Sequence, residues 1–216
     1  MKKLLALAIT SAALGAPLAA QAQLSLGLRV GFAAAAGSVG SADGVTVEMR
    51  DLTSSAVPLQ VDLLFKVSPQ LRLGGYFSYA FAQPADPIDR SCDEAGVSCT
   101  QHVTRVGLEV TYADPASRAM APWLGLGTGY EWNTTEGGGQ SLTYKGWELV
   151  NLQGGADWRL GPSLSAGPFL MWSIGRYSTE VVDAGPTSDA GTVSAEIPDK
   201  KLHHLFQVGL RGAFDL

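Results

Sequence analysis

Hydrophobic and polar residues alternate with a period of two through eight stretches of the chain, the pattern of β-strands whose two faces meet different surroundings. The stretches run over 24–36, 56–65, 71–81, 102–112, 122–132, 147–158, 164–177 and 202–214. One face is apolar. It carries Leu24, Leu26, Leu28, Val30 and Phe32 in the first stretch, and Val57, Leu59, Val61, Leu63 and Phe65 in the second. In the last it carries Phe206, Val208, Leu210 and Phe214. The opposite face is small or charged, with Ser25, Gly27, Arg29 and Gly31 in the first stretch and Gly125, Gly127, Gly129 and Glu131 in the fifth. The sixth stretch breaks phase, because Trp147 and Leu149 fall out of step with Val150, Leu152 and Trp158.

The connections alternate in length. Segments 37–55, 82–101, 133–146 and 178–201 are long, whereas 66–70, 113–121 and 159–163 are short. Membrane barrels have this asymmetry, with short turns on one side and longer external loops on the other. The pattern therefore predicts an all-β fold, an eight-stranded antiparallel up-and-down transmembrane β-barrel. Small inward residues suit its interior, since eight strands leave room only for side chains. Aromatic residues gather near the strand ends, at Phe65, Tyr79, Phe81, Tyr112, Tyr130, Trp132, Trp158, Tyr177 and Phe214. They are expected to form girdles at the two membrane interfaces.

Composition agrees with a lipid-facing surface. Charged residues make up 16% of the chain, against roughly 25% in a soluble globular protein. Lys2 and Lys3 precede a short apolar core over 4–18, and Ala20-Gln21-Ala22 supplies a cleavage pattern. Residues 1–22 read as a secretory signal peptide, which leaves 23–216 as one barrel domain. Beyond it no apolar run reaches the roughly 20 residues of a membrane helix. An exported barrel with an even number of strands is expected in the bacterial outer membrane, with both termini on the short-turn, periplasmic side. A net charge of −5 without a Lys/Arg stripe argues against a nucleic-acid partner. Cys92 and Cys99 sit close together in a long connection, and an oxidising periplasm favours a disulfide between them. No cofactor motif and no metal-ligand spacing occurs.

The stretch Pro122-Trp123-Leu124-Gly125-Leu126-Gly127-Thr128-Gly129-Tyr130, together with Leu73-Gly74-Gly75-Tyr76-Phe77 and the terminal stretch 206–214, resembles the small outer-membrane β-barrel superfamily. That superfamily includes the OmpA transmembrane domain, OmpX and OmpW. The resemblance implies a monomeric barrel that is inserted by the barrel-assembly machinery and surrounded by outer-membrane lipids, including lipopolysaccharide.

Candidate chemistry lies inside. Arg29, Asp62, Arg72, Arg105, Glu109, Glu131, Asp157 and Arg211 fall on the inward face. Balanced charges in a narrow lumen are expected to neutralise one another, because an unpaired buried ion costs several kcal/mol. Arg29–Asp62 is the expected central pair, with Glu109 completing the network. This favours a structural or surface-interaction role over its rivals, a narrow channel for ions or small solutes and a lipid-modifying barrel enzyme. His203 and His204 would be the histidines of such an enzyme, but no serine and carboxylate are fixed beside them by the sequence, so no catalysis is expected.

Overall fold

Each alternating stretch forms a strand because only an extended backbone can present one face to lipid and the other to a packed lumen. The computed structural model describes residues 24–42, 44–113, 120–185 and 191–216. The expected signal peptide lies outside the described residues, as do 114–119 of the expected turn 113–121. In chain order the elements are β1 (Leu24–Ala42), β2 (Val45–Glu48), helix α1 (Met49–Leu52), β3 (Thr53–Lys66), β4 (Leu71–Pro84) and helix α2 (Asp86–Glu94). They continue with β5 (Cys99–Ala113), β6 (Met120–Gly137), β7 (Gln140–Arg159), β8 (Leu164–Asp183), β9 (Thr192–Glu196) and β10 (His203–Asp215).

Eight of these strands are the staves of a closed barrel. The ladder runs β1-β3-β4-β5-β6-β7-β8, and β10 pairs with both β8 and β1 to close it. All pairings are antiparallel. The outward row is exposed and apolar along its length, as at Leu28 (61%), Leu108 (66%) and Leu210 (63%). An exposed apolar band encircling a barrel is the surface that a bilayer covers. Its outer edge is marked by ring contacts, Tyr79 with Phe81 and His102, Tyr130 with Trp132 and Trp147, and Trp172 with His204 and Phe206.

The structure corrects the sequence reading in four places. Leu149 is an extra residue: β7 pairs Glu148 and Asn151 with Gly129 and Gly127, leaving one residue too many on its own side. This β-bulge resets the phase, so Trp147, Leu149 and Leu152 all face outward. Tyr177 is not in a girdle; it is 1% exposed, on the inward row of β8 with Phe169 and Met171. The inward face is also not uniformly small or charged, since Trp123, Phe169 and Leu64 are buried there too. Finally, segment 133–146 is no loop. β6 and β7 continue to a two-residue turn at Gly138 and Gly139, whose φ values of 60° and 78° suit the tight hairpin geometry that other side chains resist.

Strands β7 and β8 each have 20 residues, about twice the 9–11 that a tilted transmembrane strand needs. The barrel wall therefore continues beyond the bilayer on the long-connection side. There α2 is tied to the start of β5 by the Cys92–Cys99 disulfide.

Candidate functional site: the sealed lumen

From the short-turn end upward, the lumen is filled by successive layers of paired polar groups. In the lowest layer Arg211 Nη1 donates to Asp157 Oδ2 at 3.2 Å, and its guanidinium lies over the Trp123 ring at 4.3 Å. The Trp123 indole N–H donates to the other oxygen of Asp157 at 3.1 Å. The carboxylate thus has two donors, and the aromatic face takes up part of the arginine's charge. Arg72 sits nearer the mouth and pairs with Asp215 at 3.3 Å, partly in solvent.

The middle layer is built on Arg29, which is completely buried. Its Nε donates to Asp62 Oδ2 at 2.6 Å, and its Nη2 spans both oxygens of Glu109 at 3.0 and 3.2 Å. Nη1 donates to the side-chain carbonyl of Gln153. The Gln153 amide in turn donates to Glu109 at 2.6 Å, and the Gln60 amide donates to Asp62 at 2.8 Å. Four strands, β1, β3, β5 and β7, are thereby joined across the lumen by one guanidinium. The network works because Gly27 faces Asp62 across the sheet: a Cβ there would come within 2.5 Å of the carboxylate.

Above it, Arg105 Nη1 donates to Glu148 Oε1 at 3.1 Å and Nη2 reaches Gln207 at 3.4 Å. The Tyr76 hydroxyl donates to Glu148, and Asn151 donates to the same carboxylate at 3.1 Å. Tyr76 lies against Gly107 and Gly129, where added Cβ atoms would stand 2.5 Å from its hydroxyl oxygen. Higher still, Glu131 meets His203 Nε2 at 2.5 Å, and the His203 ring stacks on Tyr177 at 4.3 Å.

The sequence-predicted residues are therefore brought together in part. Arg29, Asp62 and Glu109 form one cluster, and Arg211 and Asp157 a second. Arg105 and Glu131 are register neighbours on β5 and β6, yet each pairs elsewhere, with Glu148 and His203. Glu148 escapes the sequence reading because the Leu149 bulge hides its phase, although the local run Trp147-Glu148-Leu149 alternates correctly. Gln60, Gln153 and Tyr76 escape it because uncharged polar residues on an inward row give no signal beyond their parity. His204 points outward and stacks on Trp172 at 5.9 Å. His203 has no serine partner among the described residues.

Over the long-connection end, Val39, Met49, Leu52, Tyr177 and Ile197 form an apolar cluster drawn from two connections and the barrel wall. At this long-connection end burial raises the Tyr144 hydroxyl to about 12, with Glu180 adding to the shift. A hydrogen bond from Lys200 holds the exposed Glu196 carboxyl below its usual range.

An apolar belt outside, ion pairs inside and an apolar cover at the long-connection end together define an eight-stranded transmembrane barrel with a lumen filled by paired polar groups. The architecture is that of the small outer-membrane barrels. OprG from Pseudomonas aeruginosa superposes with a TM-score of 0.51 at 14% identity, over 90% of this chain and 98% of that one. Neisserial surface protein A superposes with a TM-score of 0.50 at 11% identity, over 87% and 95%. No protein-family model matches the sequence, and no curated protein matches it.

Proposed function

We propose that this protein is a monomeric structural or surface-interaction component of the bacterial outer membrane, with both termini in the periplasm. The observation that carries the reading is the Arg29–Asp62–Glu109 cluster, which closes the lumen with all three side chains at zero exposure. A solute path would need room where these groups meet, and burial without pairing would cost several kcal/mol per ion. Supporting it, the barrel closes on itself and leaves no unpaired stave among the described residues to recruit a second copy. The lipid belt would meet outer-membrane lipids, lipopolysaccharide included, after insertion by the barrel-assembly machinery. What remains available for recognition is the external extension of the wall, braced by the disulfide. The test is solute flux: liposomes carrying the refolded protein should swell in small sugars and amino acids no faster than empty ones. Rapid swelling would favour the channel reading instead.

A further inference from the structure

The apolar cluster over the outer mouth is built differently from the wall beneath it. Residues 45–52 contribute Val47, Met49 and Leu52 from one four-residue strand and a single helical turn. β2 is hydrogen-bonded along one edge to β1. Met49, 3% exposed, reaches down to line an internal cavity of about 30 Å³. Ala33, Ala56 and Ala80 line that cavity with it, and facing them are Arg105, Glu131 and His203. Arg105 Nε and His203 Nδ1 find no protein partner. The cavity therefore separates an apolar cover from a polar plug.

Tyr177 belongs to both. Its ring is part of the apolar cluster, stacks on His203, and its hydroxyl hydrogen-bonds Glu131. His203 directly follows the strap 197–202, which is pinned by Ile197 N–H to the Ser178 carbonyl at 3.1 Å and by Lys201 N–H to the Val39 carbonyl at 3.2 Å. Among the described residues the buried charged groups include five carboxylates, Asp62, Glu109, Glu131, Glu148 and Asp157, but only three arginines. Glu131 is not bonded to any of the three and takes the His203 ring as its partner. The pair is thus fixed by a buried hydrogen bond as well as by ring packing.

We propose that residues 45–52 form a lid on the outer mouth of the barrel, latched from below by the Glu131–His203–Tyr177 cluster. Residues 45–52 are held by these apolar contacts, four register pairs with β1 and the Ala85 N–H to Leu52 carbonyl bond at 3.0 Å, and a short peripheral element of this kind opens more readily than the barrel's continuous ladder. When the latch breaks, Tyr177 keeps Asn133 and the Tyr144 ring but loses Glu131 and its stack on His203, and the surface on which Met49 rests is loosened. The lid is independent of the sealed lumen, because the Arg29 cluster lies below the cavity and stays closed when the lid opens.

The experiment uses Met49→Cys in the full chain refolded into liposomes, labelled with a bulky water-soluble maleimide. Val45→Cys, at a position 67% exposed, sets the unhindered rate. The thiol at position 49 should label at least about tenfold more slowly than the thiol at position 45. Adding Glu131→Gln should bring the position-49 rate close to the position-45 rate while the heat-modifiable mobility of the folded barrel is kept. If Glu131→Gln does not fold, Tyr177→Phe removes only one latch hydrogen bond and should raise the rate in the same direction. Equal rates at the two positions without the latch substitution would overturn the proposal. So would unchanged labelling at position 49 in a folded latch variant.

Discussion

Arg29 holds two carboxylates and a glutamine carbonyl with a single guanidinium, so every partner depends on the others for its pairing. Removing one leaves an uncompensated charge in a water-poor interior. Arg29→Ala or Asp62→Ala is expected to cost about 3–5 kcal/mol, measured as the urea dependence of the folded, fast-migrating gel form. The double variant should lose less than the sum of the two, because the second deletion removes a group already without its partner. Strictly additive losses would mean that the cluster does not act as a unit. Glu148 supplies a second check at this scale. Glu148→Leu strands Arg105 and is expected to destabilise the barrel about as much, although nothing in the sequence marks this residue as part of the lumen.

Strands differ in how plainly they declare themselves. β1 is legible because one row is Leu, Val and Phe and the other is small or charged up to Ala33, so burial follows parity directly, whereas β3 keeps the same outward row but buries Leu64 on the other. β8 is ambiguous in a physical sense: Phe169, Met171 and Tyr177 face in while Leu170 and Trp172 face out, and hydrophobicity cannot separate two apolar rows. β7 defeats the alternation because one bulged residue shifts everything beyond it to the other face. Depth along the strands is enough to expect Arg29 with Asp62 and Glu109, but the meetings of Arg29 with Gln153, Arg105 with Glu148 and Glu131 with His203 are beyond reach, since strand tilt and not sequence spacing sets where they occur. The outward rows make a direct prediction. Arg at Leu28, Val61, Leu108 or Leu210 should destabilise by about 2–4 kcal/mol near the membrane midplane, as read by refolding yield into lipid vesicles. Full tolerance at all four would contradict a lipid-facing assignment. At the external end, the Cys92–Cys99 bridge ties α2 to β5 without entering the transmembrane wall. Reduction should therefore speed proteolysis between residues 84 and 99 while the heat-modifiable mobility of the barrel stays unchanged. Unfolding on reduction would place the bridge in the stability of the whole barrel.

At the scale of the whole molecule, an apolar exterior surrounds an interior whose charged side chains bond to one another beneath an apolar cover. Neither half is decisive alone: a soluble barrel can be polar inside, and a channel can be apolar outside. Their combination fits a membrane around the wall and, on the proposed reading, a blocked lumen within it. The most direct test is single-channel recording in planar bilayers, comparing the unaltered protein with an Arg29→Ala/Glu109→Ala variant. A sealed lumen predicts no steady conductance from the unaltered barrel and discrete openings once the middle layer is removed. A steady conductance from the unaltered protein, unchanged by those two substitutions, would contradict it.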